Sequence, residues 1–213
     1  MTRAIFGIAL SASLFIQGCG PATVEENAKK TRQASVTTSS STLDLQTLPQ
    51  LNALPVHFSL DFRTESCRKV AKEVLLPSSH SVEIWDPLDI TEEKIPADLL
   101  FEVSELFICM VIPMPDNKKG VILRTVDETN AVQKELYLLL LNAQGIPTSG
   151  IVLTYSLETP DFSHELTSTL LPNYRIQVIQ DSKPKFSTAG NPYRKTYTFE
   201  IDLQEGQIKP VKK

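Results

Sequence analysis

The chain reads as mainly β: an antiparallel meander forming a sandwich or a partly closed barrel, with one or two short helices. Three observations carry this reading. Two segments alternate apolar and polar residues with period two, as strands buried on one face do. Two others are short, near-continuous apolar runs bounded by turn residues, which suits strands covered on both faces. Compact turn sequences separate successive apolar segments, so neighbours join as hairpins rather than through crossover helices.

The first alternating segment is PVHFSLDFR, where Val56, Phe58, Leu60 and Phe62 alternate with His57, Ser59, Asp61 and Arg63. From Ser66 to Leu76 the period changes: Cys67, Val70, Ala71, Val74 and Leu75 share one helical face, and Thr64 is a candidate N-cap. A second, weaker helical stretch runs from Asp98 to Leu106. The apolar runs are FICMVIPM (Phe107 to Met114) and ELYLLLLN (Glu135 to Asn142). PDNKKG (Pro115 to Gly120) turns the first into GVILRTV, and NAQGIPTSG (Asn142 to Gly150) turns the second into IVLTYSL. NYRIQVIQ follows Pro172 as a further strand. In RKTYTFEIDL, Tyr197, Phe199, Ile201 and Leu203 oppose Thr196, Thr198, Glu200 and Asp202, and Gln204 to Gly206 turns this strand into a return through Ile208 and Val211. About eight strands result, with no clean internal repeat.

Composition narrows the function. Against 25 Asp+Glu the 213 residues carry 21 Lys+Arg, a formal net charge of -4. This lacks the basic footprint of nucleic-acid binders and polybasic membrane-surface proteins. The only extended apolar run lies at the N-terminus and is too short for a membrane span.

That run is an address. MTRAIFGIALSASLFIQGC holds one positive charge at Arg3, an uncharged apolar stretch from Ala4 to Ile16, then Gln17, Gly18 and Cys19. A small residue directly before a cysteine, with Phe15 and Ile16 upstream, resembles the lipobox of bacterial lipoproteins; Gln17 departs from its commonest form. The resemblance implies a diacylglycerol on the Cys19 thiol, cleavage before Cys19 and acylation of the new amino group. Two or three chains anchor stably, at about 0.8 kcal/mol per buried methylene. Gly20, in place of Asp, leans towards the outer membrane, facing the periplasm or the cell surface.

Residues 1–18 are thus expected to be a signal peptide, 19–54 the lipidated Cys and a flexible tether, and 55–213 a single β-rich globular domain. The tether holds no aromatic residue, and KKTRQASVTTSSST is too polar to offset chain entropy by burial. It would reach about 30 Å. Leu43, Leu45, Leu48, Leu51 and Leu54 complicate this, since leucines at that density let the tether's end pack on the domain. From Pro96 onward the layout is similar to small β-rich envelope lipoproteins of unassigned function, and it implies no active site.

Chemistry is harder to find. GxSxG, HExxH, paired CxxC, GxxxxGK[ST] and GxGxxG are absent from the sequence. His57, His80 and His164 are scattered, the first on the polar face of a strand and the others in loop-like contexts, without metal-ligand spacing. Once Cys19 is lipidated, Cys67 and Cys109 are the remaining thiols, placed by export where oxidation is possible. They read either as a disulfide, worth roughly 4 kcal/mol by loop closure, or as buried free thiols. Cys67, before Arg68 and Lys69, also superficially suits a nucleophile, without a recognisable catalytic context. The cluster EIWDPLDITEEK gathers Glu83, Asp86, Asp89, Glu92 and Glu93 around Trp85, the one tryptophan. Trp85, Asp86 and Asp89 are binding candidates there, weighed against a solvated acidic loop with the ring tucked on the core. Lys209, Lys212 and Lys213 read as a solvated tail.

The leading expectation is a lipid-anchored cell-envelope protein, a non-enzymatic binding or structural module. The alternative is an envelope hydrolase acting on glycan or peptide through carboxylates of loop 83–93, so enzymatic activity stays open. No cofactor or metal is implied beyond the covalent lipid. The expected partners are the membrane, through the anchor, and another envelope protein, with no nucleic acid. Cys19→Ser should abolish both acylation and cleavage of the precursor, because a hydroxyl does not replace the acceptor thiol. Metabolic labelling with a palmitate analogue checks this, and an unlabelled wild type would sink it.

Overall fold

Leucine, isoleucine and valine crowd the segments between Phe107 and Leu153, and most of them are buried. A computed structural model describes residues 45–59, 61–62, 66–76, 81–87, 94–97, 101, 104–127, 134–187 and 190–211. All belong to the unit Ser39–Lys213. The signal peptide, Cys19 and the first part of the tether lie outside the described residues, as do Leu43, Leu60, Thr64, His80, Asp89, Glu92 and Glu93.

The elements are β1 (Val56–Phe58), β2 (Arg68–Val70), α1 (Lys72–Leu75), β3 (Glu83–Trp85), β4 (Lys94–Pro96), β5 (Ser104–Pro113), β6 (Lys119–Asp127), β7 (Lys134–Leu141), β8 (Pro147–Glu158), β9 (Phe162–Leu170), β10 (Arg175–Pro184), β11 (Tyr193–Asp202) and β12 (Gln207–Pro210). From β5 to β12 each strand pairs antiparallel with the next, and β2 adds to β5. The fold is therefore the mainly β meander expected from the sequence, in one sheet that is not closed into a barrel.

Turn chemistry sets the hairpins. Asp116 and Asn117 both have positive φ, the requirement of a tight turn whose twist matches its strands, and Met114 N–H donates to the Lys118 carbonyl at 3.1 Å. At the next hairpin Asn142 accepts from the Gln144 and Ile146 amides through its own side chain, at 3.0 and 2.9 Å. β11 turns into β12 through Asp202, whose carboxylate accepts from the Gln204 and Glu205 amides and from Lys209. Those hydrogen bonds, that of the Glu205 amide foremost, hold its pKa down to about 2.

β8 organises the rest. Its residues 147–154 pair with β7, whereas Tyr155 to Glu158 pair with β9. The strand hands the chain from one group of strands to another. Where β8 leaves β9, the Ser168 hydroxyl donates to the Leu153 carbonyl at 2.7 Å, and β1 takes over the edge of β9 at residues 168–170. Along its first half, β8 also accepts β3 as a parallel neighbour, Ile84 opposite Gly150. A Cβ at Gly150 would lie 3.1 Å from Ile84 and from the Leu138 carbonyl, so a side chain there would press on β3 and β7 and glycine eases their close approach.

Burial explains the mixed sequence patterns. All residues from Leu136 to Leu141 are buried, which is why β7 does not alternate. In β11 only one face is covered, with Phe199 and Ile201 buried while Thr196 and Glu200 are exposed. The outer edge of β5 is covered by β2 and by the segment around Gln50, where Leu51 N–H donates to the Val111 carbonyl at 2.8 Å. Leu45 and Leu48, both 6% exposed, belong to the core, and Leu51 and Leu54 pack against it. The folded unit thus takes in leucines from the 19–54 segment.

Several local expectations need correction. The helix expected over Ser66 to Leu76 is a strand, β2, followed by the single turn α1. Pairing of Arg68, Lys69 and Val70 with β5 outweighs their helical spacing. Leu106 lies in β5 rather than in a helix. The alternating segment from Val56 forms a ladder only to Phe58. β2, β3, β4 and β9 were not anticipated, and residues 83–85 are strand rather than acidic loop. Because Leu48 is buried, Leu48→Ala should cost about 2–5 kcal/mol, measured by urea denaturation. A loss under 0.5 kcal/mol would place the segment outside the cooperative unit.

Candidate functional site

The three binding candidates fare differently. Trp85 is half-buried, and its indole N–H donates to the Ile208 carbonyl of β12 at 2.6 Å while its ring lies 5.8 Å from that of Phe199. The Lys94 ammonium sits 5.2 Å from the ring centroid, and Lys94 also pairs with Glu83 at 3.0 Å. The tryptophan is thus engaged as a structural clasp. Asp86 follows directly and is half-buried. Asp89 lies outside the described residues.

The clasp belongs to a seam. β12 returns against the first half of β8 without forming a ladder. Instead the Thr148 hydroxyl donates to the Gly206 carbonyl at 2.6 Å, and Ser149 Oγ accepts from Ile208 N–H at 3.3 Å. With the Trp85 bond, both backbone groups of Ile208 are satisfied by side chains. Gly206, at φ +67°, occupies the left-handed region that the turn before β12 requires. Lys118 donates to the Leu203 and Gln204 carbonyls and holds the same turn from outside.

Cys67 and Cys109 are joined by a disulfide, S–S 1.99 Å. Arg68 is opposite Ile108, and the register of β5 against β6 shifts between Ile108 and Met110, so Cys109 sits at the irregularity. The bond fixes β2 against β5 there, leaving neither sulfur as a thiol nucleophile. His57 is exposed and within 3.1 Å of Thr169 Oγ1. Among the described residues, no group of three or more His, Cys, Asp or Glu side chains is placed to hold a metal ion, and no helix is long and apolar enough to cross a membrane.

A polar tract gathers around the second half of β8. Burial foremost, then the Glu135 charge, raises the Tyr137 pKa well above its usual value; Tyr137 donates its hydroxyl hydrogen bond to Glu135, and Asp86 adds to the rise. Phe101 packs edge-on against the same ring at 5.0 Å. Burial likewise raises the Tyr155 pKa, again with Asp86 contributing, then Tyr193, while the Gln180 amide opposes the shift. Asp86 thus acts on two buried tyrosines, one on β7 and one on β8.

Past Tyr155, the core face carries unexpected residues. Tyr155 is opposite Leu166, which is opposite Gln180, and His164 is opposite Ser182, which is opposite Tyr193. Opposed residues share a face, so these polar groups continue the stripe formed by Leu166, Leu170, Ile176 and Val178. His164 is therefore a strand residue on the core face, not a loop histidine as expected. Its ring stacks on Phe162 at 5.8 Å and lies 6.5 Å from that of Tyr193. The sequence reading missed this tract, although polar residues at core positions of β9 and β10 were its signal. Comparison of the chain with family models, curated proteins and solved structures returned no match.

Trp85→Phe keeps a ring but removes the N–H, and should cost about 1–3 kcal/mol by leaving the Ile208 carbonyl short of its partner. Chemical denaturation measures this, with Lys94→Met as the control for the cation above the ring. An unchanged midpoint would show that the seam does not depend on the indole bond.

Proposed function

We propose that the protein is a lipid-anchored cell-envelope module that works by binding, held at the membrane through acyl chains on Cys19, its β domain offering the tyrosine-rich tract at the end of β8. The anchor rests on the lipobox resemblance. The observation that carries the binding role is the set of polar side chains at core positions of β8, β9 and β10, where stability alone favours apolar ones. The carboxylates expected to bring hydrolytic chemistry are partly committed elsewhere, since Glu83 pairs with Lys94. A hydrolase acting on glycan or peptide is the second reading. It is favoured by Asp86 and Glu135, two carboxylates that both bear on Tyr137.

One experiment separates the readings. The full chain should fractionate with the outer membrane on a density gradient and release no soluble product from purified envelope glycan or peptide. Recovery in the soluble fraction would overturn the anchor. Product release that is lost in Asp86→Asn, with the fold intact by circular dichroism, would establish the hydrolase instead.

A further inference from the structure

We infer that the core face at the Tyr155 end of β8 to β11 is a binding site for a neutral saccharide, formed by Tyr155, His164, Gln180, Ser182 and Tyr193. The inference rests on the binding reading above and names its ligand class. Gln180 is 2% and Ser182 1% exposed, yet among the described residues Gln180 Oε1, Ser182 Oγ and His164 Nδ1 have no hydrogen-bond partner. Buried polar atoms in native proteins are normally paired, because each unpaired one costs its desolvation. Three such atoms on adjacent positions of one face, with the Tyr155 hydroxyl in the neighbouring row, form a preset group of hydrogen-bonding sites.

Their chemistry selects the ligand. A phosphate or carboxylate calls for a cation turned to it, but Lys195, which is opposite Gln180 on this face, has its ammonium over the Tyr193 ring at 5.2 Å, and Arg194, on the other face, faces Asp181 at 3.6 Å. An apolar ligand would leave the amide, hydroxyl and imidazole atoms unpaired. Sugar hydroxyls both donate and accept, which matches an amide oxygen, a hydroxyl and an imidazole nitrogen together. The C–H face of a sugar ring packs on aromatic surface, available in the Phe162–His164 stack and in Tyr193, which is 37% exposed. Phe186, just beyond β10, is a further exposed aromatic side chain, at 62%.

Saturation-transfer NMR and thermal melting of the full chain with glucose, galactose, N-acetylglucosamine and maltotriose test this. At least one sugar should show saturation transfer and raise Tm. Gln180→Leu and Ser182→Ala should each weaken its binding by about tenfold or more, yet raise the Tm of the unliganded chain by removing an unpaired buried atom. No signal from any of the four sugars, binding unchanged in both variants, or a lower unliganded Tm in both would each overturn the assignment. Failure with sugars in a chain that still fractionates with the membrane removes the ligand class and leaves the anchored module standing. A soluble chain that binds a sugar removes only the anchor.

Discussion

The fold depends on a single strand serving two sets of partners. β8 pairs with β7 up to Thr154 and with β9 from Tyr155 onward. A strand of ordinary length would complete one ladder; this one runs on and commits the rest of the chain to a second. Everything placed around it follows. β3 finds a free edge beside Gly150, Ser168 bonds across the divergence, and β1 fills the edge of β9 that β8 vacates. The register at the crossover also decides which side chains meet, bringing Tyr155 into line with Gln180.

The seam between β12 and β8 shows how a sheet edge is protected without closing a barrel. Unpaired edge groups template unwanted pairing, and proteins cover or disrupt such edges. Here Trp85, Thr148 and Ser149 take the place of backbone partners for Gly206 and Ile208. Side-chain partners tolerate a geometry that a ladder would not. The sheet therefore curls back on itself and stops short of continuous pairing.

Legibility in the sequence tracked local periodicity. The β5–β6 and β7–β8 hairpins and the β11–β12 return were readable because turn residues separate dense apolar runs, and β7 was recognisable as covered on both faces. β2 was misread since Cys67, Val70 and Val74 do fall on one helical face, whereas its strand form comes from β5, a partner distant in sequence. β3 and β4 escaped notice because an acidic segment gives no hint of a parallel neighbour at Gly150. β9 was hidden by its own content: Phe162, His164, Leu166, Ser168 and Leu170 alternate, but with a histidine and a serine among the apolar positions. The same departures obscured the strand and marked the candidate site. Asp86 was singled out for its acidic neighbours, while its structural company is the pair Tyr137 and Tyr155.

The indole bond of Trp85 joins positions 123 residues apart. Loop closure over such a span must precede any reward from the contact, so assembly of this kind is slow compared with the hairpins between. Synthesis delivers the chain from its N-terminus, so β12 arrives after β3 and β8, the strands it meets at the seam. Until it does, β3 and the start of β8 stand ready without their clasp. β12 thus acts as a latch, a short strand whose arrival closes a seam that its partners already frame.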